Sequence, residues 1–214
     1  MKITDAAVWP YPAGDSSVRR LALEARELGF DSIVAIDTPP STFEGVEILS
    51  GILVREGGMK EVMSRLKRAK GTPAVISVQA GDAGFNRAVV GHRGVHILRG
   101  IHAADKNGFD HVTAKIAADN RVAIDIDLSA FIAARGIARQ RAIQRYRDVM
   151  VLENRFEFPL TVSSNARSVL DLRATREFSG LLSLLDMDLP QIERALNGVA
   201  EVTTSLPPAV RLIP

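Results

Sequence analysis

The chain contains no cysteine. That excludes disulfides, a thiol nucleophile and cysteine-held zinc or iron–sulfur centres. No apolar run is long enough to span a bilayer, and Asp5 stands where the apolar core of a signal peptide would lie. A cytoplasmic protein without a membrane partner is the expectation. Neither GxGxxG nor GxxxxGK[ST] follows any apolar run, which removes the glycine-rich cradles for nucleotide phosphates. No Gly-x-Ser-x-Gly elbow presents a serine nucleophile. The four histidines all fall between His92 and His111, with no glutamate or cysteine beside them to complete a zinc shell. His96 reads as a core-edge residue, and His92, His102 and His111 as loop hydrogen-bonders. No protein-bound metal and no catalytic residue is expected.

The formal charge is only +2, but it is unevenly spread. Residues 1–85 carry 10 basic and 11 acidic side chains, residues 86–176 carry 15 and 9, and residues 177–214 carry 2 and 5. Arginine supplies 21 of the 27 basic residues. Its planar fork makes bidentate contacts with phosphate that lysine does not. Solvated helix faces in a protein encoded by GC-rich codons would give the same tally.

Short apolar runs alternate with amphipathic stretches. Strands are expected at Ile3–Val8, Asp31–Asp37, Val46–Arg55, Pro73–Val78, Val95–Leu98, Val122–Asp127 and Leu160–Ser163. Helices are expected from a cap at Asp15 or Ser16 to a close at Gly29, at Met59–Lys70 ended by Gly71, at Asp82–Val90, His111–Ala118 and Ile137–Asn154, then at Ala166–Leu185 and Pro190–Asn197. Apolar strands separated by helices argue for a parallel sheet buried on both faces. An open doubly wound sheet shares that pattern; a closed, TIM-barrel-like (β/α) barrel is the preferred reading. No linker divides the chain, so residues 1–214 are expected to form one barrel-like domain, with a C-terminal helix and extended tail from about residue 186.

Four blocks occur in order: VQAGDAGFNRAVV, VHIL, FDHVTAKIAADNRVAIDIDLS and LENRFEFPLTVSSNARSVLDLRATRE. Through them the chain resembles the ribonuclease P protein component 3 family, the archaeal counterpart of the thirty-kilodalton subunit of the eukaryotic enzyme. The resemblance implies a TIM-barrel-like protein joined to a catalytic RNA and to protein component 2 in a particle that matures precursor tRNA. It implies no cofactor on this chain, and magnesium on the RNA subunit. The same fold resembles the PHP phosphoesterases, whose first strand ends in a His-x-His metal pair. Here the matching segment is DAAVWP, Asp5–Pro10, and the pair is missing.

Asp125 and Asp127 alternate on one strand and so face the same side. With Asp5 and Asp37 they could form the carboxylate cluster of a free-standing metal-dependent phosphoesterase, the rival reading. The plainer reading is that they balance Arg99, Lys115 or Arg121. Ser163, Ser164 and Asn165 read as caps of a following helix, whose N-terminus could hold a phosphate with help from Arg167. Candidate RNA contacts in the central segment are Asn86, Arg87, Arg99, Arg121, Arg139, Arg141, Arg145, Arg155, Asn165, Arg167, Arg173 and Arg176. Few aromatics are interleaved with them, so backbone contacts are expected to outweigh base stacking.

Overall fold

The alternating pattern closes into a barrel in the computed structural model, which describes residues 1–55, 58–69, 72–105 and 107–204. Seven parallel strands lie side by side in chain order: β1 Thr4–Val8, β2 Ser32–Ile36, β4 Val46–Val54, β5 Ala74–Gln79, β6 Ile97–Arg99, β7 Ala123–Asp127 and β8 Leu160–Ser163. The barrel shuts between β8 and β1 through a bridge from Val8 to Ala166, with Trp9 N–H donating to the Ala166 carbonyl at 2.7 Å. The extra strand β3, Ser41–Phe43, pairs antiparallel with β4 across a Glu44-Gly45 turn that is left-handed at both residues. β3 is not among the strands expected from the sequence.

Helices α1 Val18–Glu27, α2 Gly58–Ala69, α3 Ala83–Val90, α4 His111–Asn120, α5 Ser129–Ile132, α6 Gly136–Phe156, α7 Thr175–Leu182 and α8 Leu189–Thr203 complete the fold. Ser17, Asp82, Asp110 and Asp188 cap α1, α3, α4 and α8 with their side-chain oxygens. The boundary expected at Lys70–Gly71 and the tail beyond residue 204 lie outside the described residues.

Two apolar layers result. The outer one, between strands and helices, holds Leu21, Ile48, Leu98, Ile124, Val162 and Phe178. The inner one fills the barrel with Ala6, Val34, Val75, Ile97 and Ala123, and it is joined by Val199 from α8. α8 packs so tightly under the barrel that a Cβ on Gly198 would lie 1.8 Å from the Leu160 carbonyl oxygen. That end is plugged. The opposite mouth, at the C-terminal ends of the strands, is open.

Two helix expectations change. The segment expected as one helix at 166–185 is broken: a single 3₁₀ turn at Val169–Asp171, an extended Leu172–Ala174, and only then α7. Asp171 accepts from the Arg167 and Ser168 N–H groups and Glu177 from that of Ala174, so each short piece has its own cap. Leu170, placed on the apolar stripe, is 81% exposed. The last helix runs to Thr203 rather than Asn197 because Ile192, Leu196 and Val199 keep packing under the barrel.

Candidate functional site at the barrel mouth

The C-terminal ends of the strands carry the chemistry. Asp125 on β7 is fully buried and accepts from Thr161 Oγ1 at 2.9 Å, Ser163 Oγ at 2.6 Å and Arg99 Nε at 3.0 Å. Arg99 at the end of β6 is 3% exposed, and its Nη2 also donates to Ser163 Oγ and Asn165 Oδ1. Asn165 Oδ1 accepts in turn from the indole N–H of Trp9 at 3.1 Å. Burial pushes the Asp125 carboxyl up while Arg99, Ser163 and Thr161 pull it back. Because a guanidinium stays charged, Asp125 serves as its buried counter-ion.

A second hydrogen-bond chain lies across the mouth. The Asp127 N–H donates to the buried Tyr146 hydroxyl at 2.9 Å, and that hydroxyl lies 2.9 Å from His102 Nδ1. Burial lowers the His102 pKa and raises that of Tyr146. Tyr146 thereby links the Asp127 backbone to the His102 ring.

Above these networks opens a cavity of about 630 Å³. Arg55, Arg99, Arg167 and Arg173 line it, against two carboxylates, Asp127 and Asp171. Trp9, the single tryptophan, organises its wall: the Arg55 guanidinium carbon lies 4.4 Å and that of Arg167 5.0 Å from the indole centroid. Cation–π stacking holds two like charges at one place. Arg167 is further fixed through Nη1 to the Ala13 carbonyl at 2.7 Å, and Gly14 leaves room for this approach, since a Cβ there would lie 2.3 Å from the Arg167 carbonyl oxygen.

Asp5 sits at the seam, fully buried, its Oδ1 accepting from Ser164 N–H at 2.9 Å and Ala7 N–H at 3.2 Å. Burial raises its pKa to about 6; the hydrogen bonds from Ser164 and Ala7 oppose the shift and Asp125 adds to it. A raised folded pKa favours the fold below the unfolded value of 3.8, and that contribution is lost as pH rises through about 6. Asp5→Asn removes the penalty on the ionised form. It is expected to leave stability unchanged near pH 4 and raise it by about 1–3 kcal/mol at pH 8. Urea melts at the two pH values read this directly, and a variant less stable than the parent at pH 8 would contradict the account.

The carboxylate cluster of the hydrolase reading does not assemble. Asp125 is engaged by Arg99, Asp5 by the seam, and Asp127 accepts from Ser129 N–H and Oγ. Asp37 is exposed and left-handed at φ 53°, and it faces a neighbouring hollow rather than this cavity. Among the described residues no three His, Cys, Asp or Glu side chains converge on a metal position. Lys115 and Arg121 are not the partners of Asp125; Arg121 pairs with Glu201.

The arginine set divides by barrel end. Arg99, Asn165, Arg167 and Arg173 line the mouth. Arg139, at the start of α6, joins its rim by donating to the carbonyls of Ala134 and Ile132, and Arg141 is exposed beyond it. Arg121 caps the C-terminus of α4 two residues before β7, and Arg155 lies in the last turn of α6 ahead of β8, which puts both at the plugged end. Arg176 joins them there, because α7 starts beside the end of α1, with Thr175 N–H on the Leu28 carbonyl. Arg145 is half-buried, and Arg87 is paired with Asp110 at 2.8 Å. Asn86 is fully buried and staples two loops: its Oδ1 accepts from Gly81 N–H, and its Nδ2 donates to the Gly81 and Gly108 carbonyls. Its side chain offers nothing to a ligand. No helix starts at Ser163–Asn165, so the phosphate site envisaged on a helix N-terminus there does not exist. Asn165 is instead left-handed at φ 53° and turns its oxygen toward Trp9 and Arg99.

Trp9, Arg55 and His102 were not among the sequence candidates. The first two directly follow β1 and β4, the positions from which barrels build their sites.

The sequence model of the family described as RNase P subunit p30 matches residues 2–205. The chain belongs to that family. Ribonuclease P protein component 3 from Methanococcoides burtonii is 29% identical over 90% of this chain and 83% of its own length. Its namesake from Halorubrum lacusprofundi is 28% identical over 92% and 89%. Of solved structures, a chain in the cryo-EM structure of archaeal ribonuclease P with mature tRNA superposes with a TM-score of 0.78 at 19% identity, covering 94% of this chain and 89% of that one. Histidinol phosphate phosphatase from Lactococcus lactis, solved with zinc, L-histidinol and phosphate, gives 0.58 at 9% identity over 94% of each chain. The p30-family barrel thus shares its fold with a phosphatase, while Asp5–Pro10 lacks the His-x-His pair and the mouth is lined by guanidinium groups.

Proposed function

We propose that this chain is the component 3 protein of an archaeal ribonuclease P, where it binds and stabilises the catalytic RNA that removes the 5′ leader of precursor tRNA. Family membership over residues 2–205 carries the assignment. The mouth supports the mode of action: four arginines around one cavity, with Asp125 engaged as a counter-ion, Asp127 as a turn acceptor and Asp37 facing a neighbouring hollow. The arginines neutralise phosphates where the RNA folds back on itself. The chain supplies no nucleophile, binds no cofactor of its own, and leaves magnesium to the RNA. Protein component 2 and precursor tRNA are its other partners in the particle, which works in the cytoplasm. Among the described residues no helix is long and apolar enough to cross a membrane.

The test is cleavage of precursor tRNA. Purified, RNA-free chain is expected to be inactive with magnesium, manganese or zinc, and leader removal should appear once the catalytic RNA and the other protein components are added. Metal-dependent cleavage by the RNA-free chain would establish the hydrolase instead.

A further inference from the structure

We infer that the barrel mouth takes one unpaired nucleotide, with its phosphate on the arginines and its base against the Trp9–arginine stack. The inference rests on the RNA-subunit reading and specifies which element of RNA the mouth receives. Size is the first argument. A cavity of about 630 Å³ suits a ligand of small-molecule dimensions and cannot admit a duplex, whose phosphates run along an outer surface. An RNA reaches its floor only with a splayed-out or terminal nucleotide, the form in which single-stranded RNA is most often read.

Charge is the second argument. Asp171 is turned onto the backbone N–H groups of Arg167 and Ser168, and Asp127 onto Ser129. The arginine charge facing the cavity is therefore only partly balanced. Arg99 is held from behind by Asp125, Ser163 and Asn165, yet its buried Nη1 has no partner among the described residues. A buried guanidinium with an unpartnered nitrogen, lining a cavity, is a built anion donor: its orientation is already set and its desolvation already incurred.

The third argument is the wall. Arg55 and Arg167 lie on the Trp9 ring, so their planes are fixed, and a base can stack on a guanidinium plane as it does on an aromatic face. Leu53 and Ile132 give that side an apolar lining, and His102 stands among the polar groups.

Because Trp9 is the chain's single tryptophan, the site carries its own reporter. Full-length protein titrated with adenosine 5′-monophosphate is expected to show a saturable change in tryptophan fluorescence that inorganic phosphate competes away. Adenosine without phosphate should give no change at the same concentrations. Arg55→Gln, at an exposed position, should weaken the nucleotide by about tenfold or more with an unchanged melting curve. No saturable response up to about 1 mM nucleotide, an equal response to adenosine, or an unaltered affinity in Arg55→Gln would each overturn the inference. Catalytic-RNA binding by the same preparation separates the two readings. RNA bound without a nucleotide response sinks this inference and leaves the subunit function standing. Nucleotide bound without any RNA affinity keeps the mouth site, assigns it to a free nucleotide, and removes the subunit function.

Discussion

Asp125→Ala is expected to destabilise the protein by about 3–5 kcal/mol, because it leaves the Arg99 guanidinium buried without its counter-ion. Both partners are buried, at 4% and 0% side-chain exposure, so water screens their attraction little. Thr161 and Ser163 lose their acceptor at the same time. Asp125→Asn should cost less: its amide oxygen can still accept from Arg99, although the charge is gone. Denaturant unfolding of the two variants beside the parent measures both effects. An Asp125→Ala protein of parental stability that fails in a reconstituted particle would make Asp125 a functional group rather than a structural one.

Part of this arrangement was legible in the residues. The period-two spacing of Asp125 and Asp127 put both on the barrel interior, and one of the three basic partners weighed, Arg99, is the counter-ion of Asp125, whereas Asp127 accepts from Ser129 instead. Which arginine it would be was not legible, since Arg99 reaches Asp125 through the lateral pairing of β6 with β7 and not through sequence proximity. The parallel barrel followed from apolar strands alternating with helices. The break at residues 166–174 did not, because Ser168 and Asp171 satisfy the backbone locally and override the helical spacing of the leucines. Charge density along the chain does not report which end of the barrel a residue occupies. It gathered Arg121, Arg155 and Arg176 with the mouth residues although strand direction sends them to the opposite end, and it passed over Trp9 and Arg55, which lie outside the basic segment.

Binding of the catalytic RNA is expected to be strongly salt-dependent. The mouth and the adjoining start of α6 present Arg55, Arg135, Arg139, Arg141, Arg167 and Arg173 on one end of the barrel. If one phosphate is held in the mouth and about three more lie on Arg135, just before α6, and on Arg139 and Arg141, affinity should fall by about 10²-fold between about 50 and 200 mM salt. Association dominated by neutral contacts would show a nearly flat dependence. Filter binding across that salt range decides between them, and the inactive, RNA-free preparation needed for it is the same one used to exclude intrinsic cleavage.

The most direct test of the mouth as the RNA-binding end is the salt slope of single variants, measured as log affinity against log salt. Arg167→Ala should lower the magnitude of the slope by about one contact, that is by about 0.7–0.9, with the fold intact. Arg155→Ala, at the plugged end, and Arg194→Ala, on the acidic C-terminal flank, should leave the slope unchanged. An unchanged slope in Arg167→Ala together with a shallower one in Arg155→Ala would place the RNA at the opposite end of the barrel and contradict the account.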